Sequence, residues 1–171
     1  MIKNTKVGGT DWGDGDVLYA VDQNDTFDAV VDNLGNSPFS VALFDKTDIT
    51  GTWNNSASDN DYYQIRVTGG INNGDKTSFL TYYFGIGTYK INVLYTKNDY
   101  KGILKVDVGG VNVLSQDGYA ASVVYNQLST DTFIITSQGF KTIELYADGK
   151  NGSSSDYTIS VNHIGFRKTG A

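Results

Sequence analysis

Between residues 39 and 168 the apolar side chains of this chain recur at every second position, and that period decides what it can fold into. Phe39, Val41 and Leu43 alternate with Ser40 and Ala42; Tyr63, Ile65 and Val67 with Gln64 and Arg66; Tyr89, Ile91, Val93 and Tyr95 with Lys90, Asn92 and Leu94. Successive side chains of an extended strand point to opposite faces, so such segments bury one face and wet the other. Leu104, Val106 and Val108 continue the pattern, and Gly109-Gly110 is a two-residue hairpin signal leading into Val111 and Val113. Further strands are expected around 133–136, 142–146 and 157–166, the last pair joined by the turn-rich stretch 148–156. Roughly eight strands punctuated by polar turns predict an all-β domain, an antiparallel β-sandwich or jelly roll. Its expected core is Ile91, Val93, Leu104, Val106, Ile143, Leu145, Ile159 and Val161. In the last strand Ile159 and Val161 share one parity while Ile164 and Phe166 take the other, which predicts a bulge near Asn162-His163.

The first 36 residues read differently. Residues 1–15 are polar and rich in Gly and Asp, an arm rather than a core element. Within 16–34, Asp22 is placed as a helix cap with Asp25 three residues on, and Phe27, Val30, Val31 and Leu34 fall at helical spacing. Gly35 and Pro38 then stop the helix. The chain therefore divides into 1–36, an arm and short helix serving assembly or attachment, and 37–171, the sandwich.

Composition excludes most chemistry. There is no Cys, a single His (His163) and a single Glu (Glu144), against eighteen Asp, twelve Tyr and twenty Gly. Thiol catalysis, disulfides and Cys-bound zinc are removed together. His163 has no nucleophile or second base beside it in its strand, and Glu144 alternates with Ile143 and Leu145 and so points away from the core. A non-enzymatic protein is expected. The formal charge of −6 comes from dispersed Asp with no basic stripe, which argues against nucleic acid and anionic membrane. No run approaches the roughly 18 apolar residues of a membrane span, and the lysines at 3 and 6 precede no apolar stretch of a signal peptide. The paired glycines lack the strand–loop–helix setting of a phosphate loop. Asp14-Gly15-Asp16, Asp59-Asn60-Asp61 and 148–156 gather oxygens of the kind calcium takes, but none fits the EF-hand loop and Asp fills turns for local reasons. No cofactor is expected.

Loop aromatics are the stronger functional signal. Trp53 lies in the polar segment 50–56 beside Asn54 and Asn55, while Tyr100 and Tyr119 adjoin Asp99 and Asp117-Gly118. A flat ring covers the C–H face of a sugar while amides and carboxylates fix its hydroxyls, so these five residues are the candidate ligand contacts. The same rings could instead cap the sandwich ends or fill a subunit interface.

Two resemblances follow from these residues. Val7-Gly8-Gly9-Thr10-Asp11-Trp12 and the stretch 14–29, with its Asp-Gly turn, Val17-Leu18-Tyr19-Ala20 element, acidic cap and Phe27, resemble a segment of viral tail-fibre and head-fibre proteins. That resemblance implies a virion or extracellular location, other virion proteins as partners and a homotrimer. Residues 60–168 resemble galactose-binding-like jelly rolls, the fold of many carbohydrate-binding modules, through stretches 87–95, 104–110, 139–145 and 157–166. A host-surface glycan is the partner this implies. Together they give the expectation of a virion fibre, spike or receptor-binding protein displaying a glycan-binding jelly roll. The alternatives are a structural coat or decoration subunit and a free carbohydrate-binding module.

Overall fold

A computed structural model describes residues 38–43, 45–57 and 65–170. Among them run eleven strands: β1 (Phe39–Ser40), β2 (Thr47–Thr50), β3 (Trp53–Ala57), β4 (Ile65–Gly69), β5 (Lys76–Phe84), β6 (Gly87–Lys97), β7 (Ile103–Val108), β8 (Val111–Asp117), β9 (Val124–Ile135), β10 (Gly139–Ala147) and β11 (Ile159–Gly170). They form two antiparallel sheets. One has the order β3-β4-β11-β6-β9 with β1 added to β11; the other has the order β2-β5-β10-β7-β8.

The core lies between the sheets. All eight expected core residues are buried, Ile91, Val93, Ile159 and Val161 from the first sheet meeting Leu104, Val106, Ile143 and Leu145 from the second. Period-two alternation positions them without further help. The bulge expected in the last strand is present: β11 shifts register against β6 between Val161 and His163, and this turns Ile164 and Phe166 inward. The hairpin expected at Gly109-Gly110 joins β7 to β8, with φ of 58° and 80° at its two glycines, the twist that a tight two-residue turn needs.

Three expectations change. Strand β5 was not anticipated, because its inward residues switch parity: Thr77 and Phe79 face the core, then Phe84 does. A register shift of β10 against β5 between Thr142 and Glu144 is the cause. Strand β9 runs twelve residues where only its end was expected, because as an edge strand it exposes one side and carries Ser129, Thr130, Asp131 and Thr132 in its middle. After Ser40 the chain leaves the sheet, yet Val41 and Leu43 remain buried. The arm and the helix expected over 16–34 lie outside the described residues.

Strand direction separates two ends. β6, β8 and β10 run towards one end, and β7, β9 and β11 start from it, so the connections 98–102, 118–123 and 148–158 share that end. An aromatic cluster fills the other half: Phe39 stacks on Tyr82 at 5.0 Å, and Phe84 meets Tyr89, Phe133 and Phe166 edge-on at 5.2–6.3 Å. Pro38 and Gly170, the first and last described residues, belong to this aromatic half, since Phe39 pairs with Phe166 and Gly170 with Thr88.

Candidate functional site

The three connections at the loop end are tied into one surface by their backbones. Asn98 N–H donates to Gly118 O at 3.0 Å and Ala120 N–H to Asn98 O at 3.2 Å, joining the first loop to the second. Gly102 N–H donates to Thr158 O at 3.0 Å and Ser155 N–H to Asp99 O at 3.1 Å, joining the first to the third. Glycine is required at two of these crossings. A Cβ on Gly102 would collide with the Tyr157 carbonyl, and one on Gly118 would stand 2.5 Å from Gly102 O. The turn 70–75 adds a fourth wall, where Asn73 Oδ1 accepts from Gly149 N–H at 2.7 Å.

Side chains then stiffen the loops. Asp117 accepts from Tyr119 N–H at 2.8 Å and from Asn151 Nδ2 at 2.7 Å, so one carboxylate spans the second and third loops. Ser154 Oγ, buried, donates across to Lys101 O at 2.8 Å. Lys101 is itself buried beneath the surface, its Nζ donating to Ser160 Oγ at 2.7 Å and lying 4.5 Å from the centre of the Tyr100 ring. A cation under that ring's face holds the ring in place. Lys150 Nζ does the same at Tyr157, 4.9 Å from its centroid. Beneath the loops, burial raises the pKa of Tyr95, with the Asp117 charge adding to it, so its hydroxyl stays protonated.

The result is a rigid surface carrying the 41% exposed ring of Tyr100, half-buried Tyr119 and Tyr157, and the polar side chains of Asn98, Asp99 and Asn151. Such a surface can stack pyranose faces and bond hydroxyls without moving. Of the five candidate residues, the structure brings Tyr100 and Tyr119 together on this surface, buries Trp53 beneath the turn that walls it, and sets Asn54 and Asn55 on strand β3. The exposed loop position expected for Trp53 is corrected: it opens β3, is 2% exposed, and packs its ring on Gly69 and Gly70 while Nε1 donates to Thr50 O at 3.0 Å. Asn54 and Asn55 follow it, exposed, on the edge strand β3, opposite Thr68 and Val67 of β4. Tyr157 and Asn151 were missed. Their signal was the density of Asn, Asp and Ser in 148–156, which reads from sequence as a turn with oxygens of the kind calcium takes rather than as a sugar contact.

Glu144 and His163 lie outside this surface. Glu144 accepts from Lys76 Nζ at 3.1 Å and from Tyr146 hydroxyl at 2.8 Å on the outer face of the five-stranded sheet, and it raises the pKa of Lys76. Among the described residues no three His, Cys, Asp or Glu gather as a metal would require.

No family model and no curated protein matches this chain. Solved structures do. Over 78% of its length the chain is similar to part of a Paenibacillus xanthan lyase (22% identity, TM-score 0.60), of which it spans 13%. Over 79% it is similar to the CBM36-1 domain of a multidomain xylanase from the hindgut metagenome of Trinervitermes trinervoides, covering 100% of that domain (21% identity, TM-score 0.56). A CBM36 carbohydrate-binding module in complex with calcium and xylotriose is similar over 78% of this chain and 99% of its own (16% identity, TM-score 0.50). At these identities the likeness concerns the fold, and the fold is the jelly roll of carbohydrate-binding modules.

Proposed function

We propose that this domain is a non-catalytic glycan-binding module that holds its sugar at the loop end. One observation carries the reading: Tyr100, Tyr119 and Tyr157 are brought onto one braced surface with Asn98, Asp99 and Asn151. Rings and amides in fixed relation are what a shallow sugar site needs, because each sugar contact is weak and little ordering cost can be tolerated. That similar modules include one bound to xylotriose supports an oligosaccharide as the ligand class.

The calcium in that complex is not needed for this reading. Both oxygens of Asp117 accept hydrogen bonds, as do both of Asp156, from Tyr157 N–H at 2.6 Å and Thr158 hydroxyl at 3.2 Å. Glycan binding is expected to survive EDTA. The wider expectation, a homotrimeric virion fibre or decoration subunit, stands on residues 7–29, which lie outside the described residues. The free-module alternative asks only for what the loops supply, and it is the reading adopted.

The test is a glycan array followed by calorimetry with the best oligosaccharide, comparing wild type with Tyr100→Ala and Tyr119→Ala. Binding that either substitution reduces tenfold or more, with melting temperature held, supports the reading. An array without signal, or equal affinity in all three proteins, ends it.

A further inference from the structure

The outer face of the six-stranded sheet carries a groove of about 480 Å³ far in character from the loop end. Its floor is β11 and β6: His163, Gly165 and Arg167 on the first and Lys90 and Asn92 on the second, with Phe39 and Ser40 of β1 as a wall. The bulge in β11 makes this set. By shifting parity at Asn162 it turns His163, Gly165 and Arg167 together onto the outer face while Ile164 and Phe166 go inward. Gly165 keeps the floor open, since a Cβ there would stand 2.6 Å from His163 Nε2.

Charge is what singles the groove out. The ladder sets Arg167 directly opposite Lys90. Like charges in cross-strand register, with Cβ atoms roughly 5 Å apart, repel and destabilise a sheet unless something offsets them. Among the described residues the ion pairs join Lys46 to Asp48, Lys76 to Glu144 and Lys105 to Asp107, and none reaches Lys90 or Arg167. In a protein of formal charge −6, two facing cations beside an imidazole and the Asn92 amide form a positive site with no ion-pair partner among the described residues.

We propose that this groove binds a small oxyanion, a carboxylate or phosphate group, between Lys90 and Arg167, with Asn92 and His163 completing its hydrogen bonds. The guanidinium presents paired N–H donors to two oxygens at once, and the lysine adds a point charge from the neighbouring strand. Among the described residues that line the groove, the charged groups accompanying His163 are Lys90 on β6 and Arg167 on its own strand, and β1 contributes Phe39 and Ser40. Burial lowers the His163 pKa, so the ring is neutral in the empty groove, and a bound anion offsets that by favouring the imidazolium. Affinity therefore rises as pH falls.

The source of the anion is distinguished by the probes. Backbone amide NMR at constant ionic strength is followed while sodium glucuronate, inorganic phosphate or glucose is added to the whole chain. Saturable shifts at Lys90, Asn92, His163 and Arg167 are expected with an anion and not with glucose: glucuronate alone identifies a sugar acid, phosphate alone a phosphate group. Arg167→Gln and Lys90→Gln should each weaken binding about tenfold, the loss of one charge-assisted hydrogen bond, while Tyr100→Ala leaves it unchanged. Both are groove-rim side chains and either substitution relieves the cross-strand repulsion, so melting temperature should hold or rise. Absence of saturable shifts with either anion, or shifts that persist in Arg167→Gln, overturns the proposal. Because the groove and the loops are probed by different ligands and variants, failure of either site is read separately.

Discussion

Trp53 and Tyr100 present rings of similar chemistry to opposite surroundings, and substitution should separate them. Trp53 fills a slot against Gly69 and Gly70, so Trp53→Ala leaves a cavity and is expected to cost about 3–5 kcal/mol in urea unfolding. Tyr100→Ala removes a 41% exposed ring together with its contact to the Lys101 ammonium, and stability should fall by about 1 kcal/mol or less while glycan binding falls. Sequence could place aromatic residues near turns but could not say which way a ring faces, because Gly69-Gly70 looks like loop punctuation and serves here as the bed of a buried indole. His163 gives a pH test. Its folded pKa is lowered below the ordinary 6.5, so the unfolded chain takes up the proton first. Stability contributed by the neutral ring is present above about pH 6.5 and declines as pH falls below it. Melting temperature should drop over that window in wild type, and His163→Gln should flatten that part of the profile.

Elements were legible where alternation is unbroken. β6 and β7 announce themselves through Tyr89-Ile91-Val93 and Leu104-Val106-Val108, and the β11 bulge is visible because Ile159-Val161 and Ile164-Phe166 disagree in parity. β5 hides for the same reason in reverse: its bulge lies opposite β10, and Thr77 is a polar residue holding a core position. Two substitutions test the elements. Val106→Ala, at the centre of β7, should cost roughly 1–3 kcal/mol by chemical denaturation. A Cβ at Gly110 meets no neighbouring atom within 4 Å, so the cost of Gly110→Val, about 1–2 kcal/mol, would come mainly from the φ of 80°. A neutral Gly110→Val would mean that the β7–β8 turn can change type.

For the whole molecule, the two sheets close on a core made by described residues, so a chain starting at Ser37 should keep the cooperative melting of the full protein. Removing Phe39 as well should lower it, since that ring touches Tyr82, Phe84 and Phe166. Circular dichroism of both forms should show a strand-dominated spectrum. The layer architecture was readable because burial on one face of each strand imposes it. The proposed glycan surface was only half readable, because it is assembled from three loops spread between residues 98 and 158, and nothing in a linear pattern reports that Asn151 closes on Asp117.

Both Pro38 and Gly170 lie in the half of the sandwich that holds the aromatic cluster, away from the braced loops. Whatever is joined to the domain at either point, a solid support, a fluorophore or another folded unit, is therefore held on the side turned away from the proposed sugar surface. Immobilising the protein through position 38 or through position 170 should give the same glycan affinity, and several copies could be mounted side by side with every sugar-facing end outward.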